Sequence, residues 1–306
     1  MAAQTQGDER RAAAGGEAPK ATLEAGLASL DVEDDSPIGF GEVATLMLSQ
    51  LRRKNQKFRR AAASSLAALL DAFPECCVYE LVAPTLLDLS GLGDSATAAV
   101  TKGDKDTGGS GGSGGLKGDP IMQARAVACL AAAWPRLPPP PSSSEESASS
   151  AASPEAAAVA RAQTRRRDAV CGVQREHAAA LTSVLSGAIL SKVWSVRVPI
   201  YGALAAVVSR TATTEAHRQS PPVLTGSLLA EVVQAVELGA EDAKYSQVRA
   251  AAVSVVVAMT SRKDLRLALM PHKEGLVRAA RTAAEDPEPR VALQGSKASQ
   301  NLSWWP

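Results

Sequence analysis

The sequence predicts an all-α protein. The prediction rests on alanine-rich composition, on apolar residues recurring in steps of three and four, and on the lack of any sustained alternation. Apolar residues make up 45% of the 306, yet aromatic residues only 3%, so alanine and valine supply most of the apolar count. Alanine has the highest helix propensity and almost no side chain, which favours closely approaching helices. A β-sandwich would need β-branched and aromatic residues at alternate positions, and no such pattern persists.

Taken in order, residues 1–37 read as a polar, charged and disordered lead-in without period. Residues 38–90 read as helices. In them Phe58, Ala62, Leu66 and Leu69 follow steps of four, four and three, which places them on one helix face. Residues 91–118 contain a Gly/Ser run from Gly108 to Gly115 and read as a flexible insert. Residues 119–134 read as one further helix. Residues 135–154 include Pro138 to Pro141 followed by three serines, a composition incompatible with a helix interior. Residues 155–303 are again helical, with a short polar break at 211–222. There Val193, Val196, Ile200, Leu204 and Val207 share one face, as do Tyr245, Val248, Ala252, Val255 and Met259. Residues 224–238 and 265–281 are further amphipathic segments.

One motif recurs: an apolar residue, then Arg, then small or apolar residues three and seven positions later. It runs through Phe58-Arg59 with Ala62 and Leu66, Val196-Arg197 with Ile200 and Leu204, and Val248-Arg249 with Ala252 and Val256. Ala124-Arg125 with Ala128 and Ala132 is a weaker copy. Pro289-Arg290 with Leu293 is a degenerate one, because Lys297 replaces the last apolar residue. A lysine stands five before the Arg in three copies, at Lys54, Lys192 and Lys244. With the low-complexity segments removed, successive arginines are about 38, 52, 40 and 41 residues apart, near the period of HEAT or armadillo repeats. The expected architecture is therefore an α-solenoid of helical hairpins, each Arg near the start of a second helix and the inserts in the turns.

Two roles suit these arginines. They bridge carbonyls or carboxylates of the adjacent repeat as a ladder, or, with Lys192 and Lys244, form a basic strip for an acidic partner. The ladder is preferred, since periodic features of solenoids usually serve stacking. Trp194 and Tyr245 are read first as inter-repeat packing and second as partner contacts.

Composition excludes several classes. With 33 basic and 32 acidic residues, net charge +1, no global field attracts nucleic acid or an anionic membrane. The N-terminus lacks the apolar run of a secretory signal, and the uncharged apolar stretch around Ala250 to Met259 is far too short to span a bilayer. Cys76, Cys77, Cys129 and Cys171 form no CxxC pair and read as reduced thiols of a cytoplasmic protein, also compatible with the nucleus.

Catalytic motifs fail on context. The glycine-serine match at Gly108 to Gly112 has no strand before it or helix after it. His177, His217 and His272 are far apart and lack an i, i+4 partner, so no metal site is expected; Glu176-His177 reads as a solvated helix face. No cofactor motif is present, and the chain is expected not to be an enzyme. The basic clusters Arg52 to Arg60 and Arg165 to Arg167 read as solvated turn and helix surface rather than a nucleic-acid patch. Trp304 and Trp305 either dock on a partner or cap the last repeat.

The pair Lys192-Val-Trp-Ser-Val-Arg197 and Lys244-Tyr-Ser-Gln-Val-Arg249, followed by Glu285-Asp-Pro-Glu-Pro-Arg290, resembles the C-terminal region of the large HEAT-repeat proteasome adaptor and scaffold family. The likeness is clearest over residues 180–297 and weaker over residues 54–89. It implies a segment of a longer solenoid that tethers or stabilises proteasome core and regulatory particles without being a protease. The Gly-rich and Pro/Ser-rich inserts depart from the family pattern. The alternatives are a HEAT-type scaffold with another partner, such as a transport-receptor or phosphatase-scaffold relative, and a nucleic-acid-associated helical protein using the arginine clusters.

Overall fold

Helix starts are set locally by capping side chains. Asn55, Asp119 and Thr225 each turn a side-chain oxygen onto first-turn amides, at 3.0–3.4 Å, which satisfies donors a helix leaves unpaired. Pro120 and Pro289 occupy first-turn positions where their missing N–H costs nothing. Gly91 ends its helix in the left-handed conformation (φ 74°), which a residue with a side chain adopts only under strain.

The computed structural model describes residues 38–73, 78–92, 119–137, 154–212 and 223–305. The proposed lead-in and almost all of the two inserts lie outside them, as do Cys76, Cys77 and His217. The helices are α1 (Ile38–Leu51), α2 (Gln56–Ala72), α3 (Tyr79–Ser90), α4 (Pro120–Ala133), α5 (Pro154–Ala188), α6 (Trp194–Arg210), α7 (Gly226–Ala240) and α8 (Ser246–Ser261). Two 3-10 turns flank the short α9 (Arg266–Leu269), and α10 (Lys273–Ala284) and α11 (Pro289–Ser303) complete the order. Among the described residues there is no strand.

The chain is an all-α solenoid. Helices α3–α4, α5–α6, α7–α8 and α10–α11 pair as hairpins. The second helices stack side by side in the order α2, α4, α6, α8, α11, and alanine-rich faces let them pack closely. In the first-helix layer α5, α7 and α10 pack in sequence, whereas α3 and α5 stand apart across a groove. Helix α1 joins the core through Ala44, Leu48 and Leu51, and the Phe40 ring meets Phe73 edge-on at 5.6 Å.

Burial defines the repeat more sharply than periodicity does. Val196, Ile200, Leu204 and Val207 of α6 are buried, and so are Val248, Ala252, Val255 and Met259 of α8. The same register, counted from each helix cap, is buried in α4 (Met122, Ala126, Cys129, Ala133) and in α11 (Val291, Gly295, Ala298, Leu302). In α2 the buried residues are Ala63, Leu66 and Leu70, and Phe58 is 52% exposed. Helix α5 is the long member, and its core begins at Val170; Arg161, Arg165 and Arg166 upstream are exposed.

Candidate functional site

Near the starts of α2, α6 and α8, four residues after each cap, stands the first series of inter-hairpin contacts. There Arg59 of α2 meets Asp119, the cap of α4, at 3.5 Å. Arg197 of α6 donates to Asp242, in the turn before α8, at 2.7 Å. Arg249 of α8 takes both oxygens of Asp286, in the turn before α11, at 2.6 and 3.0 Å. It also donates to the Asp242 carbonyl at 2.9 Å, joining two rungs. All six side chains are at most 17% exposed, so water screens these pairs weakly.

The carboxylates respond accordingly. Hydrogen bonds from Arg249 hold Asp286 below the usual carboxylate range. Burial pushes Asp242 upward, but the Tyr245 and Lys244 amides and Arg197 outweigh it, leaving a net lowering. Asp119 is also lowered: Gln56 and the Met122 and Ile121 amides overcome its burial.

A second series, not anticipated from sequence, closes the other ends of the same helices. Arg210 donates to the carbonyls of Ala131, Ala132 and Trp134 at the end of α4, at 3.1–3.3 Å, and to Asp71 at 2.7 Å. Arg262 does the same at the end of α6, to Val208 at 2.6 Å and Thr211 at 2.8 Å, and pairs with Asp264. Each guanidinium satisfies carbonyls that a helix terminus leaves open and complements the helix dipole. Gln174, fully buried, ties the same corner to Pro135, Arg210 and Ala212. The readable signal is spacing: Arg210 and Arg262 stand as far apart as Arg197 and Arg249.

Two of the motif arginines stand outside this register. Arg125 is not in the ladder register, which Gln123 occupies in α4; the alanine-rich helix disguised a shift of two positions, and Ala128 is exposed rather than core. From there Arg125 bridges to the neighbouring second helix, donating to the Arg60 carbonyl at 2.6 Å and to the Ser64 hydroxyl. Arg125 is thus two positions late and Arg290 two positions early, Ala292 holding the ladder place in α11. It is exposed and makes no hydrogen bond or ion pair among the described residues.

Trp194 and Tyr245 stack at 5.5 Å and 20° across the α6–α8 junction, with the Lys244 amine 5.1 Å and the Arg197 guanidinium 5.7 Å from the Tyr245 ring. Lys54 and Lys192 are exposed and bear no described ion pair. The basic strip is thus divided: its arginines are engaged by aspartates and its lysines project. Trp304 and Trp305 divide too, Trp305 entering the core while Trp304 remains 78% exposed.

Counted from the caps, the second helices carry unburied residues at matching positions. This row passes through Lys57 and Ser64 on α2, Ile121, Arg125 and Ala128 on α4, and Val198 and Gly202 on α6. It continues through Gln247, Ala250 and Ser254 on α8, and Arg290, Leu293 and Lys297 on α11. Small side chains dominate its middle and basic ones its two ends. Across α6, α8 and α11 the row opens a groove of about 500 Å³, lined by Val198, Ala250, Ser254, Glu288, Arg290 and Leu293. Leu293 is 56% exposed at its edge. No described helix is long and apolar enough to cross a membrane.

Neither a protein-family model nor a curated protein sequence matches the chain. Among solved structures, an engineered protein from the Northeast Structural Genomics Consortium is similar at 14% identity and a TM-score of 0.35, over 86% of this chain and 96% of that one. A designed armadillo repeat protein is similar at 14% identity and a TM-score of 0.32, over 84% and 98%. At these scores the helix packing itself remains the ground for the fold.

Proposed function

We propose that the chain is a non-enzymatic protein-binding scaffold whose docking surface is the exposed row along its second helices, and that its partners are proteasome regulatory and core particles. The observation that carries the binding role is the row itself. Small side chains leave an open groove for a partner segment, lined by apolar Val198 and Leu293 beside one base, Arg290, and one acid, Glu288. A short segment of a partner protein carrying both apolar and polar side chains suits that lining. The ladder arginines, already paired with aspartates, serve to keep the row in register. The proteasome assignment rests on the resemblance of residues 180–297 to the adaptor family.

The test is an affinity pull-down of the tagged chain from cytosol at physiological salt, with proteasome subunits quantified by mass spectrometry. Enrichment that disappears in the R290E/L293D variant supports both the partner and the surface. Its absence from a chain shown to be folded removes the proteasome reading. Enrichment of a different protein, lost in the same variant, leaves a helical-repeat scaffold with another partner.

A further inference from the structure

We infer that Glu80, Glu176 and His177 form a binding site for a divalent transition metal that clips helix α3 to helix α5. Glu80 of α3 meets the consecutive Glu176 and His177 of α5, and one ligand atom from each lies within 4.8 Å of the others. His177 Nε2 and Glu80 Oε1 are 3.3 Å apart. Two ligands bound at about 2.0–2.2 Å to one tetrahedral zinc ion are separated by about that distance. A set of one imidazole and two carboxylates suits zinc and its first-row neighbours better than magnesium or calcium, which take oxygen ligands throughout.

Two further observations favour a site over a chance ion pair. The imidazole is positioned: its ring lies 5.4 Å from Tyr79, whose own ring is fixed edge-on against buried Trp134 at 5.2 Å. Beside the donors runs the groove between α3 and α5, about 590 Å³, walled by Ala83, Pro84, Leu87, Leu181 and Val184. Three protein ligands leave a coordination position for water or a ligand from that groove. A metal here would bridge the groove between α3 and α5, so the clip would act on the spacing of the α3–α4 and α5–α6 hairpins.

The experiment titrates the full chain, purified without a polyhistidine tag, with Zn²⁺ by calorimetry and with Co²⁺ by absorbance. Hydrogen–deuterium exchange of α3 and α5 is followed in parallel. The expected result is one ion per chain, weakened at least about tenfold in H177A and in E80Q. Cobalt should show a visible d–d spectrum without a thiolate charge-transfer band, and exchange should slow in both helices. No binding by the wild type overturns the inference, leaving an ion pair only. Binding unchanged in folded H177A and E80Q, or a cobalt–thiolate band, also overturns it, because the metal then sits on cysteines or elsewhere.

Discussion

Arg249 and Asp286 meet through two parallel hydrogen bonds, 2.6 and 3.0 Å long, across the junction between α8 and α11. The aspartate is only 7% exposed and also accepts the Glu288 amide at 2.8 Å, so one carboxylate fixes both the neighbouring hairpin and the start of its own second helix. Asp242 repeats the arrangement one hairpin earlier, accepting from Arg197, Lys244 and Tyr245.

Removing one partner leaves the other buried and unpaired. Asp286→Ala and Arg249→Met should therefore each cost about 2–3 kcal/mol of stability in urea unfolding. The exposed pair Arg281–Glu285 provides the contrast, and Arg281→Ala should cost less than about 0.5 kcal/mol. Equal losses at the two sites would show that the buried pair has no special weight.

Acid should loosen these junctions. The fold holds Asp286, Asp242 and Asp119 below the ordinary aspartate value, so the unfolded chain binds protons more readily than the folded one. Their stabilisation is fully present above the unfolded value of about 3.9 and fades as pH falls through the lower folded values. Chemical unfolding between pH 6 and 2 should show stability falling below about pH 4, with a shallower fall in a D242N/D286N variant.

The carbonyl-capping arginines should matter as much as the ladder. Arg210→Ala and Arg262→Ala each strip donors from several helix-end carbonyls and should each lower stability by about 2–3 kcal/mol. Arg136 holds the corresponding place after α4 but is exposed and makes no described contact. Arg136→Ala should stay within about 0.5 kcal/mol of wild type by thermal or urea unfolding.

Close helix crossings depend on glycine at two points. A Cβ on Gly295 would strike the Ala284 amide nitrogen and Ala283 carbonyl carbon, and one on Gly239 would strike the Tyr201 hydroxyl and Ala252. Gly295→Ala and Gly239→Ala should each cost about 1–3 kcal/mol. Gly172, inside α5, has open space around its Cβ position, and Gly172→Ala should stabilise by about 0.5–1 kcal/mol. Calorimetric melting temperatures of the three variants separate the two effects.

The helical class and the buried faces of α6 and α8 were legible because valine, isoleucine and leucine recur there at an unambiguous spacing. Register was not legible in α4 and α11. Arg125 and Arg290 read as a weaker and a degenerate copy of the motif, and each is two residues out of place; alanine crowds α4 at six of 14 positions, and in α11 Lys297 interrupts the apolar pattern. The ladder's other half was not assigned, since Asp119, Asp242 and Asp286 lie 60, 45 and 37 residues from their arginines. Arg210 and Arg262 were open to discovery through their shared spacing. Glu80 and His177, 97 residues apart, were not.

The most direct measurement is the binding of purified proteasome core and regulatory particles to the immobilised, folded chain by interferometry at physiological salt. The account predicts saturable binding to at least one particle, weakened about tenfold or more by R290E/L293D and unchanged by R281E. Absence of binding to either particle, or equal binding by R290E/L293D, would contradict it.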